Sequence, residues 1–183
     1  RILYTNRKID LNTCFQCKMF SLEKILIYAC KIGDENLARW IYNTSLGLLD
    51  IHINNDEPFI QACIGGNENL VKWLYSLCKG TDRPINIHAY NEQAFYELCK
   101  AGKLELAKWL WSVSLETNLP IDIHIDNDYT FRQTCIRGHL NVAKWIYSLD
   151  NKPYETKAIT FAITCCDDLE TLKWLCEIGN PDQ

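Results

Sequence analysis

The chain has 183 residues, a net charge of -4 and a pI near 5.6, so it lacks the basic excess that nucleic-acid binders carry. Hydrophobic residues make up 48% and charged residues 23%, the balance of an ordinary globular protein long enough to bury a core. No apolar run approaches the roughly 18 residues that a membrane-spanning helix needs, and no glycine-rich phosphate loop is present.

Residues 1–21 fit the rest of the chain poorly. The stretch RKIDLN (7–12) reads as the tail of an extended finger. An insertion follows that contains Cys14 and Cys17. With Cys30 these thiols could supply three zinc ligands, but a structural zinc site calls for a second paired motif. None is present, so no metal and no cofactor is expected. The chain opens on Arg1 rather than Met, which leaves room for sequence upstream.

From residue 22 onward the sequence repeats. GDENLARWIYNT (33–44), GNENLVKWLYSL (66–77), GKLELAKWLWSV (102–113) and GHLNVAKWIYSL (138–149) are versions of one segment. The aligned columns are tryptophan (Trp40, Trp73, Trp109, Trp145, Trp174), phenylalanine (Phe59, Phe95, Phe131, Phe161), cysteine (Cys30, Cys63, Cys99, Cys135, Cys165) and histidine (His52, His88, His124). The unit is about 36 residues, the length of a helical repeat that must stack on copies of itself to bury its apolar faces.

Each unit reads as two helices. In FYELCKAG, Phe95, Leu98 and Cys99 fall on one helical face, and Gly102 stands where glycine ends helices. In LELAKWLWSV, Leu104, Ala107 and Leu110 form one stripe and Leu106, Trp109 and Leu110 another, which suits a helix with neighbours on two sides. The tryptophan and cysteine columns are expected in the core, with a free cysteine acting as a small hydrophobe. Between units, Pro120 and the alternation of Ile121, Ile123 and Ile125 predict an extended hairpin. The helix pairs are expected at 22–43, 57–78, 93–113, 128–149 and 156–178, as an array over 22–183. The last pair lacks the finger before it and the glycine in its turn, so it reads as a degenerate cap.

This order resembles the ankyrin repeat, from about residue 22 to 178. The family's Gly-His turn stands as Gly138-His139, and its hairpin Asp-Val-Asn as Asp50-Ile51-His52, Asn86-Ile87-His88 and Asp122-Ile123-His124. The helix-starting Thr-Pro-Leu-His is replaced by EPF, QAF and YTF. With AKW, the phenylalanine-to-cysteine helix and DIH in register, the chain is similar to the tryptophan-rich ankyrin proteins of giant DNA viruses of amoebae. The resemblance implies an all-α solenoid of stacked helix-turn-helix units with β-hairpin-like fingers. It also implies a non-enzymatic protein-interaction module in the host cytoplasm or nucleus, or the virion, and the cysteines at one core position point to a reducing compartment. A structural role in a virion, or an adaptor role in recruiting host proteins to a ubiquitin ligase, is the alternative.

No catalytic residue is expected. The histidines stand one unit apart, about 8–10 Å if their helices stack, too far to share a zinc held at about 2 Å. Trp40, Trp73, Trp109, Trp145 and Trp174 with His52, His88 and His124 are therefore read as structural, each imidazole bonding backbone of the adjacent hairpin. The fingers hold acids and no lysine or arginine, whereas a base precedes each tryptophan (Arg39, Lys72, Lys108, Lys144, Lys173) and reads as a solvated face. Partner contacts are expected at the finger tips, Asn55, Asp56, Glu57, Tyr90, Asn91, Glu92, Asp126, Asn127, Asp128 and Tyr129, and in the adjoining groove at Ile64, Lys100 and Arg137. Exposed Asp56, Glu92, Asp126 and Asp128 would favour a protein partner with a basic segment. Nucleic acid and membrane are not expected partners, and the oligomeric state stays open.

Overall fold

A computed structural model describes residues 22–45, 47–117, 119–149, 152 and 154–179. RKIDLN, Cys14 and Cys17 lie outside the described residues. Among the described residues there are ten helices and no strand. They come as five consecutive packed pairs. These are α1 (Leu22–Lys31) with α2 (Glu35–Thr44), α3 (Ile53–Gly65) with α4 (Glu68–Cys78), α5 (Ala89–Lys100) with α6 (Leu104–Glu116), α7 (Ile125–Ile136) with α8 (Leu140–Tyr147), and α9 (Thr156–Cys165) with α10 (Leu169–Gly179). Each first helix also packs on the next, α1 on α3, α3 on α5, α5 on α7 and α7 on α9.

The turn inside a pair has a local cause. Gly102 adopts φ 70°, which lets its N–H reach the Cys99 carbonyl while the Lys103 N–H reaches that of Leu98. These bonds satisfy the last carbonyls of α5. The next pair uses the same glycine, because an added Cβ would lie 2.8 Å from Nδ1 of His139. The last turn, Cys166-Asp167-Asp168, works differently: Asp168 caps α10 by accepting from the Thr171 N–H at 2.8 Å and its hydroxyl at 2.6 Å.

The core runs along the first helices. Phe59, Phe95 and Phe131 are fully buried with Cys63, Cys99 and Cys135. The last pair departs from both columns, since Phe161 is 43% exposed and Cys165 is exposed. Ala158, Ala162 and Cys166 face inward instead, and the Cys166 thiol donates to the Cys135 carbonyl at 3.2 Å. Without a glycine, α9 ends through an extended Cys166 (φ -87°, ψ 124°) rather than a left-handed residue, and a different stripe of the helix meets the core.

The tryptophans are not the core column expected of them. Trp40 is 38% exposed, and Trp73, Trp109, Trp145 and Trp174 are only partly buried. Trp73, Trp109 and Trp174 form a seam between neighbouring second helices. Trp73 meets Tyr42 in a T-shaped contact with ring centroids 5.5 Å apart, Trp109 meets Tyr75 at 5.4 Å and Trp174 meets Tyr147 at 5.6 Å. Three of the five bases before the tryptophans also belong to this seam rather than to a merely solvated face. Arg39 lies over Trp73, Lys72 over Trp109 and Lys144 over Trp174, at 4.6, 5.8 and 5.9 Å. Each aromatic contact contributes about 0.5–1.5 kcal/mol beyond area burial.

Phe95→Ala should therefore cost about 3–5 kcal/mol of stability, the range for emptying a fully buried aromatic site. Trp109→Ala should cost clearly less, because solvent already reaches that ring. Urea unfolding of the two variants checks this, and equal losses would contradict the seam assignment.

Candidate functional site

The fingers begin with a repeated local motif. In DIH and NIH the first side chain accepts from the histidine's own N–H: Asp50 from His52 at 2.9 Å, Asn86 from His88 at 3.1 Å and Asp122 from His124 at 2.9 Å. Such an Asx turn needs a short side-chain oxygen at that position. The central Ile51, Ile87 and Ile123 drop into the core. The expected hairpin does not pair as a strand. Instead the three residues after Ile53, Ala89 and Ile125 all take left-handed backbone. Asn54, Asn55 and Asp56 have φ 51°, 56° and 66°, Tyr90, Asn91 and Glu92 have 52°, 57° and 61°, and Asp126, Asn127 and Asp128 have 51°, 56° and 60°. Each set forms one left-handed turn, closed by the N–H of Asp56, Glu92 or Asp128 on the carbonyl of His52, His88 or His124. Asparagine and aspartate tolerate this conformation best, which explains the runs INND and IDND.

The turn places a carboxylate inside the protein. Asp56, Glu92 and Asp128 are 4%, 7% and 2% exposed, against the expectation that all three lie on the surface. Each accepts from its own unit's histidine: His52 Nδ1 to Asp56 at 2.5 Å, His88 Nδ1 to Glu92 at 2.9 Å and His124 Nδ1 to Asp128 at 2.5 Å. Each also accepts a backbone N–H from the next unit. Asn86 donates to Asp56 at 2.8 Å, Asp122 to Glu92 at 3.4 Å and Glu155 to Asp128 at 3.1 Å. The histidines thus reach the neighbouring unit through a carboxylate rather than by bonding its backbone directly. Asp126 alone of the four expected acids is exposed.

One relay has the outline of a nucleophile, base and orienting acid. Cys78 Sγ lies 3.3 Å from His52 Nε2, and His52 Nδ1 holds Asp56. The thiol is 4% exposed. Burial and then the charge of Asp56 push its pKa up, whereas an attacking cysteine needs a stabilised thiolate. With Cys78 protonated, the thiol donates to Nε2 and His52 donates from Nδ1, so the array orients the imidazole. Among the described residues no group of three or more His, Cys, Asp or Glu could hold a metal ion. A shallow depression of about 380 Å³ lies between Gly102, Leu104, Gly138, His139, Leu140, Asn141 and Val142, away from the relays.

The exposed surface beside the relays is richer. Asn55, Tyr90, Asn91, Asp126, Asn127, Tyr129 and Arg137 are exposed, while Glu57, Ile64 and Lys100 are half-buried. Glu57 accepts from Gln61 at 2.6 Å, and the Tyr90 hydroxyl donates to the Asn54 carbonyl of the preceding finger at 2.9 Å. Three residues not foreseen complete the surface: Tyr96, Arg132 and Phe161. The Tyr96 and Tyr129 rings lie 5.1 Å apart, and Lys100 stands over Tyr96 at 5.1 Å. Arg132 stands over Tyr129 at 5.5 Å and Phe161 at 5.2 Å. Burial, and then the Tyr129 hydroxyl, push the Tyr96 phenol above its ordinary value. A usable sequence signal existed three residues before each column cysteine, where Ile60 is followed in later units by Tyr96 and Arg132.

No family model matches the chain, and no curated protein matches it significantly. Among the described residues no helix is long and apolar enough to cross a membrane.

The cysteine column makes a pH prediction. Burial pushes Cys30 from 9.0 up to about 12 and raises Cys63, Cys99 and Cys135 as well. The folded state keeps protons that the unfolded chain releases above its ordinary value near 9, so stability is fully present below that pH and falls as pH rises toward about 12. Below pH 8 the four column thiols should resist alkylation while exposed Cys165 and Cys176 react. Thiol mapping by mass spectrometry checks the second expectation, and rapid labelling of Cys99 in folded protein would contradict it.

Proposed function

We propose that the chain is an ankyrin-type solenoid that works as a non-enzymatic module, binding a partner protein across the finger tips and the groove along α3, α5, α7 and α9. The observation that carries the reading is the division of labour inside each finger. The same three-residue left-handed turn recurs with φ values within about 6° of one another. It spends its carboxylate on the fold and leaves Tyr90, Asn91, Asp126, Asn127 and Tyr129 outward. Fixed tips that present tyrosine and asparagine are what a binding surface needs, since preorganised side chains lose little entropy on association. The ankyrin assignment is supported by the helix pairs, the glycine turns and the stacking of first helix on first helix. The reduced, buried thiols suit a reducing compartment.

The test compares two surfaces. Tyr90→Asn, Asn91→Gly, Asp126→Gly and Tyr129→Ala, which put residues that accept the left-handed backbone at 90, 91 and 126, should together abolish capture of specific proteins from a cell lysate without lowering the melting temperature appreciably. Lys108→Glu with Lys173→Glu changes outer cations that pair with Glu105 and Glu170 and should leave the same proteins bound. The reverse pattern would place the working surface on the second helices and overturn the proposal.

A further inference from the structure

We infer that the partner presents an aspartate or glutamate beside an apolar side chain, and that Arg132 receives the carboxylate. The inference rests on the interaction reading above and names the chemistry of the partner. Lys100, Tyr96, Tyr129, Arg132 and Phe161 form one continuous stack across α5, α7 and α9, with successive separations of 5.1, 5.1, 5.5 and 5.2 Å. Its outer rings are open, Tyr129 at 39% and Phe161 at 43% exposure.

The inner cation of this stack, Arg132, is under-satisfied. A guanidinium has five donors. Arg132 uses one on the Asp126 carbonyl at 3.2 Å, and its covered Nε meets no acceptor. Among the described residues no carboxylate pairs with it. Elsewhere Arg39, Lys72, Arg83, Lys100, Lys108 and Lys173 each have an acid within 3.3 Å. A half-buried charge without a counter-ion is costly until one arrives. A carboxylate can then take parallel bonds from the planar fork, while the flanking rings receive an apolar neighbour.

Two of the acids that could have filled this role are withdrawn. Glu92 and Asp128 are buried against His88 and His124, and Asp126 lends Arg132 its carbonyl. The basic-partner expectation rested on four exposed acids, and the burial of Asp56, Glu92 and Asp128 leaves only Asp126 outward beside Arg132. Base stacking with phosphate contact would use the same side-chain types, but a net charge of -4 works against a polyanion.

The experiment is selection of the full chain against a random peptide library displayed on phage, followed by affinity measurement on synthetic copies of the enriched peptides. Enriched peptides should carry Asp or Glu next to an apolar residue. They should bind Arg132→Gln and Arg132→Glu about tenfold or more weakly than the parent, and peptide Glu→Gln should lose a similar factor. Arg132→Gln keeps most of the side chain's bulk, and the peptide substitution needs no change in the protein. Together they hold the test open should Arg132→Glu fail to fold. Neutral or basic peptides that still depend on Tyr129 would overturn this inference and leave the interaction reading standing. Failure to enrich any peptide would count against both. Tighter binding of a single-stranded oligonucleotide than of the acidic peptides would also overturn it.

Discussion

A buried carboxylate shared between two units is the interaction on which the architecture depends. Asp56, Glu92 and Asp128 each sit between an imidazole of their own unit and a backbone N–H of the next. An unpaired buried carboxylate would be expensive, so neither partner can leave cheaply. The left-handed turn that delivers the carboxylate costs about 1–2 kcal/mol per residue. Charge-assisted hydrogen bonds of this kind each return about 1.5–3 kcal/mol. The two magnitudes are comparable, so the turn persists where the carboxylate finds both partners. The series ends where it should: Glu155 supplies the last N–H, and α9 begins directly after it without another left-handed turn.

A second seam runs along the outer helices and is aromatic rather than polar. Tyrosine rings and cations of one unit meet the tryptophan of the next. His139 closes over Gly102 so tightly that an added Cβ would lie 2.8 Å from its ring. Every contact of this kind joins neighbours only, the energetic pattern of a repeat array. The seams hold adjacent fingers in a common register, and fixed tips follow from that. The stack from Lys100 to Phe161 inherits its order from the same registration, since its members come from three successive first helices.

The helix pairs and their glycine turns were legible because they depend on local signals: a 3.6-residue apolar stripe and a residue that tolerates positive φ. The finger was not, and the reason is physical. Alternating Ile121, Ile123 and Ile125 is a strand signature, yet the Asx turn at Asp122 and the left-handed tolerance of Asp126 and Asn127 prevail over it. The same motif hid the fate of the acids. Composition shows Asp56, Glu92 and Asp128 as charges on a polar loop, and only the reversal of backbone hand turns them inward. Tryptophan was assigned to the core by its column, although a ring so large is seldom fully buried. Phe161 and Cys165 matched their columns in sequence and missed them in space, where Ala158, Ala162 and Cys166 face the core instead.

The most direct measurement is amide hydrogen exchange in Asp56→Ala, read at Asn86 and in α8. If the shared carboxylate joins the units, the Asn86 amide should lose its protection and residues 54–56 should leave the left-handed region in chemical-shift data. The distant α8 amides should keep theirs. An Asn86 amide as slow in the variant as in the parent, with the turn intact, would contradict the account.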